Sequence, residues 1–286
     1  MRRVLALAAL SVAASASAGP AAWHVTSKAG GEMWLLGSVH YLRASDHPLP
    51  AVIDELYSRA GTLVMEIDLD DLDATRAQTD FLSAAMLPQG TTLPEVLAPE
   101  TYALAQTQAA ALGIDLALLE RFEPWLVAIT MLDLGVGRLG FRPEHGIEQY
   151  LLRKAQRDGK QVLGLETLAT QIAIFDALSA DQQEALLEQT LAEIDSADEV
   201  MSGLVEAWRA GELDELTTTL MEDFAEFPEL YSTLVVDRNT KWIETLEALL
   251  AEPNSHLVVV GALHLVGEHN VVDLLAAEGF VVEAVE

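Results

Sequence analysis

Four short runs constrain this chain more than any other feature: MWLLG at residues 33–37, TLVMEI at 62–67, QVLGLE at 161–166 and HLVVVG at 256–261. Each is apolar nearly throughout and lacks the alternation of a strand with one wet face, so each is expected to be a strand buried on both sides, the second of them running on to Leu69. Only a sheet covered by helices on both faces meets that demand, and the intervening sequence supplies helices. Proline near 48–50 opens one that Gly61 ends, and residues 70–157 and 168–250 are mostly helical in pattern, punctuated by Pro88, Pro94, Pro99, Pro124 and Pro143. A β-hairpin is expected at 22–40 with its turn at 29–32, then, at the far end, a strand at 256–263, a helix at 266–278 and a last strand at 280–285. The expected fold is α/β: one domain over residues 19–286, with a central mixed sheet built from N- and C-terminal strands and a large helical insertion at about 70–250.

Residues 1–18 stand apart. Two arginines, an apolar run and Ala16-Ser17-Ala18 form the order of a secretory signal peptide, with cleavage expected after Ala18. The chain is therefore expected to be exported, to a periplasm or to the medium, with no membrane span after cleavage. Even the most apolar later stretch, 122–141, carries Glu123, Asp133 and Arg138. Lys and Arg number 16 against 45 Asp and Glu, a net charge of −29, which opposes binding to nucleic acid and to anionic lipid. With no cysteine there is no disulfide and no thiolate, so any metal must be held by His, Asp and Glu, a donor set suited to zinc, manganese, iron or cobalt.

In an open α/β sheet ligands gather beyond the carboxyl ends of the strands. Four titratable residues stand there: His40, Glu66, Glu166 and His264. Both histidines close a Gly-x-x-His motif, Gly37-Ser38-Val39-His40 and Gly261-Ala262-Leu263-His264, where the glycine permits close approach at a strand end. One such motif is weak; two at the ends of buried strands form a constellation. Glu66 is placed inside an apolar strand, where a carboxylate must be paired or metal-bound. By contrast Asp68, Asp70, Asp71 and Asp73 read as acids flanking the next helix. His47 and His269 read as solvated surface residues, and His24 and His145 belong to no cluster. The sequence has no His-Glu-x-x-His, no Gly-x-Ser-x-Gly and no phosphate-cradling glycine loop, which sets aside helix-borne zinc peptidases, serine-elbow hydrolases and nucleotide binders.

Taken with FEPWL at 122–126, the long run 145–167 from His145 to Thr167, Gln171, Arg238-Asn239 in DRNTKW and HLVGEHNVVDLLAAEGF at 264–280, these motifs resemble the TraB/PrgY/GumN family, which includes the Tiki proteins, and most of all its bacterial GumN-type members. The resemblance runs through nearly the whole chain in one order. It implies an α/β fold similar to the erythromycin-esterase and ChaN-like group, and metal-dependent peptidase activity of the Tiki kind. It also implies that His40, Glu66 and His264 are the metal or catalytic set, with Arg238 beside them to face an oxyanion and Asn239 supporting the motif. The resulting expectation is hydrolysis of an amide or ester in a peptide or small molecule, assisted by a divalent ion such as manganese, cobalt or zinc. Glu66 or Glu166 completes the ligand set, and the other moves the proton. Two other readings stay open: a metal-independent, histidine-based esterase, and a non-catalytic periplasmic protein that binds peptide, haem or metal. Oligomeric state is not written in these motifs.

Overall fold

The structure, a computed structural model, describes residues 19–28, 30–222, 224 and 227–285. The expected signal peptide at 1–18 lies outside the described residues, as does Ala29 of the hairpin turn. Six strands form one mixed sheet: β1 (Ala22–Thr26), β2 (Glu32–Ser38), β3 (Thr62–Ile67), β4 (Gln161–Glu166), β5 (Ser255–Gly261) and β6 (Val281–Ala284), in the order β4-β3-β5-β2-β1-β6. The first four in that order are mutually parallel, and β1 runs antiparallel to both its neighbours, closing the expected hairpin with β2.

The four apolar runs are the four parallel strands; β2, β3 and β5 are buried on both faces, and β4, at the sheet edge, is only partly buried. Trp34 and Leu36 of β2, Leu63 and Met65 of β3, and Leu257 and Val259 of β5 point to one side. There they meet Ile53 and Leu56 of helix Ala51–Arg59 and Ile147, Leu151 and Ala155 of helix Ile147–Asp158. The alternate residues Met33, Leu35, Val64, Val258 and Val260 point to the other side, against Trp242, Leu246 and Leu250 of helix Asp237–Ala251 and Val271 and Leu275 of helix Val271–Ala277. Strand period two thus divides one apolar run between two cores.

Beyond the sheet, helices Pro99–Ala111, Pro124–Arg138 and Ala180–Glu193 make a core of their own around Ala105, Val127, Met131, Leu187 and Leu191. The helical insertion is not one block, because β4 divides it: helical segments at 74–158 precede that strand and others at 168–251 follow it. Three boundaries differ from the sequence reading: β3, expected to run to Leu69, ends at Ile67, where Asp68 Oδ1 accepts from the Asp70 N–H at 3.0 Å and turns the chain, and two more lie near the C-terminus. The strand expected to run to residue 263 stops at Gly261, and a 3-10 turn, Ala262–His264, follows it. The helix expected from 266 begins at Val271, because Asn270 caps it, its Oδ1 accepting from the Asp273 N–H at 2.8 Å. Among the described residues no helix is long and apolar enough to cross a membrane.

Leu257 is fully buried in the central strand, at the junction of sheet and helix layer. Leu257→Ala is expected to cost about 2–5 kcal/mol through lost burial and a residual cavity, read as a lower urea midpoint with an unchanged denaturant slope.

Candidate active site

Because β4, β3, β5 and β2 are parallel neighbours, their carboxyl ends lie along one edge, and the chemistry-bearing residues arrive there in strand order. Glu166 ends β4, Glu66 is the penultimate residue of β3, Gly261 ends β5 with His264 one 3-10 turn later, and His40 follows β2. The register aligns Ser38 with Gly261 and Ile67 with Glu166. Arg238 and Asn239 come from the first turn of helix Asp237–Ala251, which follows a π-helical turn at Ser232–Val236; such turns are frequent at functional sites because they re-aim the next residues.

Arg238 is the hub. Its Nη2 donates to Glu66 Oε2 at 2.5 Å and to Glu166 Oε1 at 2.6 Å, and its Nε donates to Glu166 Oε1 at 3.0 Å. Its Nη1 lies 3.1 Å from His264 Nε2. Gln171 Nε2 donates to both carboxylates, at 3.2 Å to Glu66 and 2.9 Å to Glu166, and Trp242 Nε1 donates to Glu166 Oε2 at 3.2 Å. Glu166 is thus closed in behind the guanidinium, while Glu66 Oε1 accepts the Gly261 N–H at 2.9 Å and faces the open side.

The state of His264 follows from its neighbours. Asn239 donates its amide N–H to the His269 carbonyl at 3.0 Å, so the amide oxygen is what faces His264 Nδ1, 2.6 Å away. An oxygen acceptor there requires Nδ1–H, which leaves the Nε2 lone pair to accept from Arg238. Burial, helped by Arg238 and His40 against the pull of Glu66, lowers the His264 pKa to about 3. Burial alone would raise the Glu66 carboxyl. The charges of His264, Arg238 and His40, with the Gly261 N–H, bring it down to about 2, and since His264 is neutral above pH about 3, Arg238 and His40 are the charged partners that persist.

His40 is the exposed member, its side chain 54% accessible, and its Nδ1 lies 2.8 Å from Glu148 Oε1. The Glu148 carboxylate, the first cause, raises His40 to about 9. Ser38 Oγ also donates to Glu148 Oε1. Glu148 was not singled out by the sequence reading. It enters from helix Ile147–Asp158, whose start packs against the His40 loop because Gly146 has no side chain: a Cβ there would lie 2.1 Å from the His40 carbonyl oxygen. The available signal was an acid in a helix's first turn beside Ile147, a residue that faces the sheet.

Gly261 has a matching role. A Cβ built on it would lie 3.2 Å from His40 Nε2, 3.5 Å from Glu66 Oε1 and 3.7 Å from His264 Cδ2, so three candidate ligands crowd the space that its missing side chain leaves. Gly37 serves packing, its carbonyl accepting Trp208 Nε1–H at 2.8 Å. Both histidines have Nδ1 held by a partner and Nε2 turned inward, the usual condition of a metal-ligating imidazole. With one carboxylate oxygen, this donor set and the bare cradle over Gly261 fit a divalent ion. As they stand, His264 Nε2 and Glu66 Oε1 are 3.9 Å apart with the guanidinium bonded to both residues, and among the described residues no three such donors are at ion-holding spacing.

The other histidines lie elsewhere. His269 is exposed, as expected, and adopts φ 57°. His47, expected to be solvated, is partly buried, its Nε2 2.9 Å from the His145 carbonyl, because the loop that follows β2 folds onto the turn at Pro143–His145. Asp73 caps helix Ala74–Ala84, accepting from the N–H groups of Thr75 and Arg76, as its pattern indicated.

A cavity of about 470 Å³ opens over the cluster, with His40, Glu66, Arg238 and His264 at one end and mainly apolar side chains elsewhere. Fold and site define a class: α/β proteins whose parallel strand ends bring two Gly-x-x-His histidines and a glutamate against a buried arginine. The chain belongs to the TraB/PrgY/gumN family, whose model matches residues 21–284. It is 30% identical to YbaP of Escherichia coli (strain K12) over 241 residues, covering 84% of this chain and 86% of that one. Two zebrafish (Danio rerio) proteins are more distant: metalloprotease TIKI2 at 24% identity over 87% of this chain and 58% of its own, and metalloprotease TIKI1 at 22% over 87% and 60%. No solved structure matches the chain.

Two titrations test this arrangement in metal-free protein. Glu148→Gln is expected to bring His40 down from about 9 toward its ordinary 6.5, read from the imidazole proton shifts by NMR. His264 is neutral in the fold, so between pH about 6.5 and 3 the unfolded chain binds the extra proton and stability falls as pH falls. The urea midpoint of His264→Gln should therefore decline less steeply across that window than that of the wild type.

Proposed function

We propose that this chain is a metal-assisted hydrolase of amide or ester bonds, with peptides among its substrates, and that His40, Glu66 and His264 hold the divalent ion, be it manganese, cobalt or zinc. The observation that carries this reading is the meeting of those three side chains over the bare Cα of Gly261 at the end of a cavity. The kinship with proteins named metalloproteases supports it. A divalent ion bound there supplies Lewis acidity: it polarises a carbonyl and acidifies a water.

The chain's own residues do the rest. Asn239 and Glu148 fix the two imidazoles so that each turns Nε2 inward. Glu166, Gln171 and Trp242 hold the guanidinium of Arg238 in one orientation, and its charge stabilises the oxyanion that develops as the carbonyl is attacked. Glu166 is therefore the residue that orients Arg238. Closing off bulk water on the apolar side strengthens each of these interactions.

A second reading rests on the Arg238 contacts. The guanidinium already binds Glu66 and lies against His264 Nε2, so a cation is in place, and the His40–Glu148 pair alone can act as acid and base without metal. The cavity also suits a protein that binds without turnover. Export follows from the expected signal peptide, and its check is a mature N-terminus at Gly19 by mass spectrometry.

The deciding experiment incubates peptide and ester panels with protein reconstituted with manganese, cobalt or zinc and with chelator-treated protein. Turnover should appear only with metal, His264→Ala should lower metal stoichiometry, and Arg238→Met should lower kcat by about 10²–10³-fold. Turnover that survives the chelator moves the assignment to the metal-free mechanism, and unchanged metal content in His264→Ala removes His264 as a ligand.

A further inference from the structure

The cavity over the cluster does not end at the cluster's own walls. A second cavity of about 340 Å³ lies next to it, and six side chains line both: Leu132, Met201, Leu204, Leu220, Phe224 and Leu234. The two are adjoining chambers, each within the range of about 300–1,000 Å³ usual for small-molecule sites, and an occupant that spans both would run along a channel lined by those six side chains. The channel is polar at its inner end, where His40, Glu66, Arg238 and His264 stand, and apolar through its shared waist. At the outer chamber Gln189, Thr190, Glu193 and Thr219 bring polar groups back. Two lining residues are large apolar side chains open to solvent, Leu132 of the waist at 44% and Val200 of the outer chamber at 36%, so the waist and the outer chamber both open to solvent along one side.

The waist discriminates between occupants. Five of its six side chains come from helical turns, at Pro124–Arg138, Ala197–Ala210, Leu213–Glu222 and Ser232–Val236, whose interior backbone groups bond within their own turns. A peptide laid through the waist would bring an N–H and a C=O per residue against helical walls that offer no backbone partner, at about 1–3 kcal/mol for each group turned away from the solvent-open side and left unmet. A hydrocarbon chain brings none. Its methylenes are stabilised by the same burial that builds a protein core.

We infer that the natural substrate is an acyl compound: a long unbranched hydrocarbon chain lies through both chambers and presents the amide or ester carbonyl at its head to His40, Glu66, Arg238 and His264. This rests on the hydrolytic reading proposed above and names the substrate class for it. The reaction is a hydrolysis with no redox change. The bond from the acyl carbon to the leaving nitrogen or oxygen breaks, a bond from that carbon to the oxygen of water forms, and the water's protons divide between the leaving group and the released carboxylic acid.

The test has a kinetic arm and a binding arm. The kinetic arm measures kcat/KM for p-nitrophenyl acetate, octanoate, dodecanoate and palmitate on metal-supplied protein. Each added methylene should raise kcat/KM about fourfold until the channel is full, the equivalent of about 0.8 kcal/mol per buried methylene. The binding arm measures dodecanoate, acetate and trileucine by calorimetry, with dodecanoate expected to bind most tightly. Leu132→Trp and Val200→Trp add bulk at solvent-open positions, so folding tolerates them, as a thermal melt by circular dichroism verifies. Each should lower the dodecanoate-to-acetate ratio of kcat/KM by about fifteenfold, as if two methylenes lost their place. Ester turnover that ignores chain length, or trileucine bound more tightly than dodecanoate, overturns the acyl assignment and leaves hydrolysis standing. Dodecanoate bound with no ester or peptide turned over supports the acyl occupant and removes hydrolysis.

Discussion

A guanidinium buried between two carboxylates is the interaction on which the rest of this structure depends. Glu66 and Glu166 stand at the ends of neighbouring strands in a sheet otherwise filled with Leu, Val and Met, and neither could be buried there unpaired. Arg238 answers both, and Gln171, Trp242 and the Gly261 N–H take up further lone pairs. Removing one partner of such a set leaves a buried charge uncompensated, which costs more than the intact set contributes. The cluster is therefore a specification as much as a stabiliser: it ties β3, β4, the turn after β5 and helix Asp237–Ala251 into one arrangement.

The layout of the fold was legible because its signals are local. Non-alternating runs identified the four parallel strands, β4 with both its ends, and strand direction alone brought His40, Glu66, Glu166 and His264 to one edge. What stayed hidden is what arrives by packing. Glu148 looks like any first-turn acid until Gly146 lets its helix press against the His40 loop. Gln171 was noted for its resemblance to a family pattern, without a reason; the reason is two carboxylates, one of them 105 residues away in the chain. Likewise, the turn at 262–264 continues an apolar run, so pattern alone extends the strand through it, although the turn is what directs His264 back over the sheet edge.

The division of roles between the two histidines is equally a matter of surroundings. Both end a Gly-x-x-His motif, yet one is buried, neutral and held by an amide oxygen, and the other is half exposed, charged and held by a carboxylate. The same Gly-x-x-His motif thus yields a charged imidazole in one place and a neutral one in the other. Composition sets the wider background: a strongly acidic chain concentrates its few basic groups where they are matched, and Arg238 is the clearest case.

The interleaving of the chain through the sheet has a temporal meaning. β2 pairs with β5 across more than two hundred residues, and β3 with β4 across nearly a hundred, so the edge that carries the site closes only when the last quarter of the chain is in place. Long-range parallel pairing is slow to form. Until β5 and helix Asp237–Ala251 arrive, His40, Glu66 and Glu166 lack Arg238 and His264, so the order of the chain itself makes the site the last part of the sheet edge to be completed.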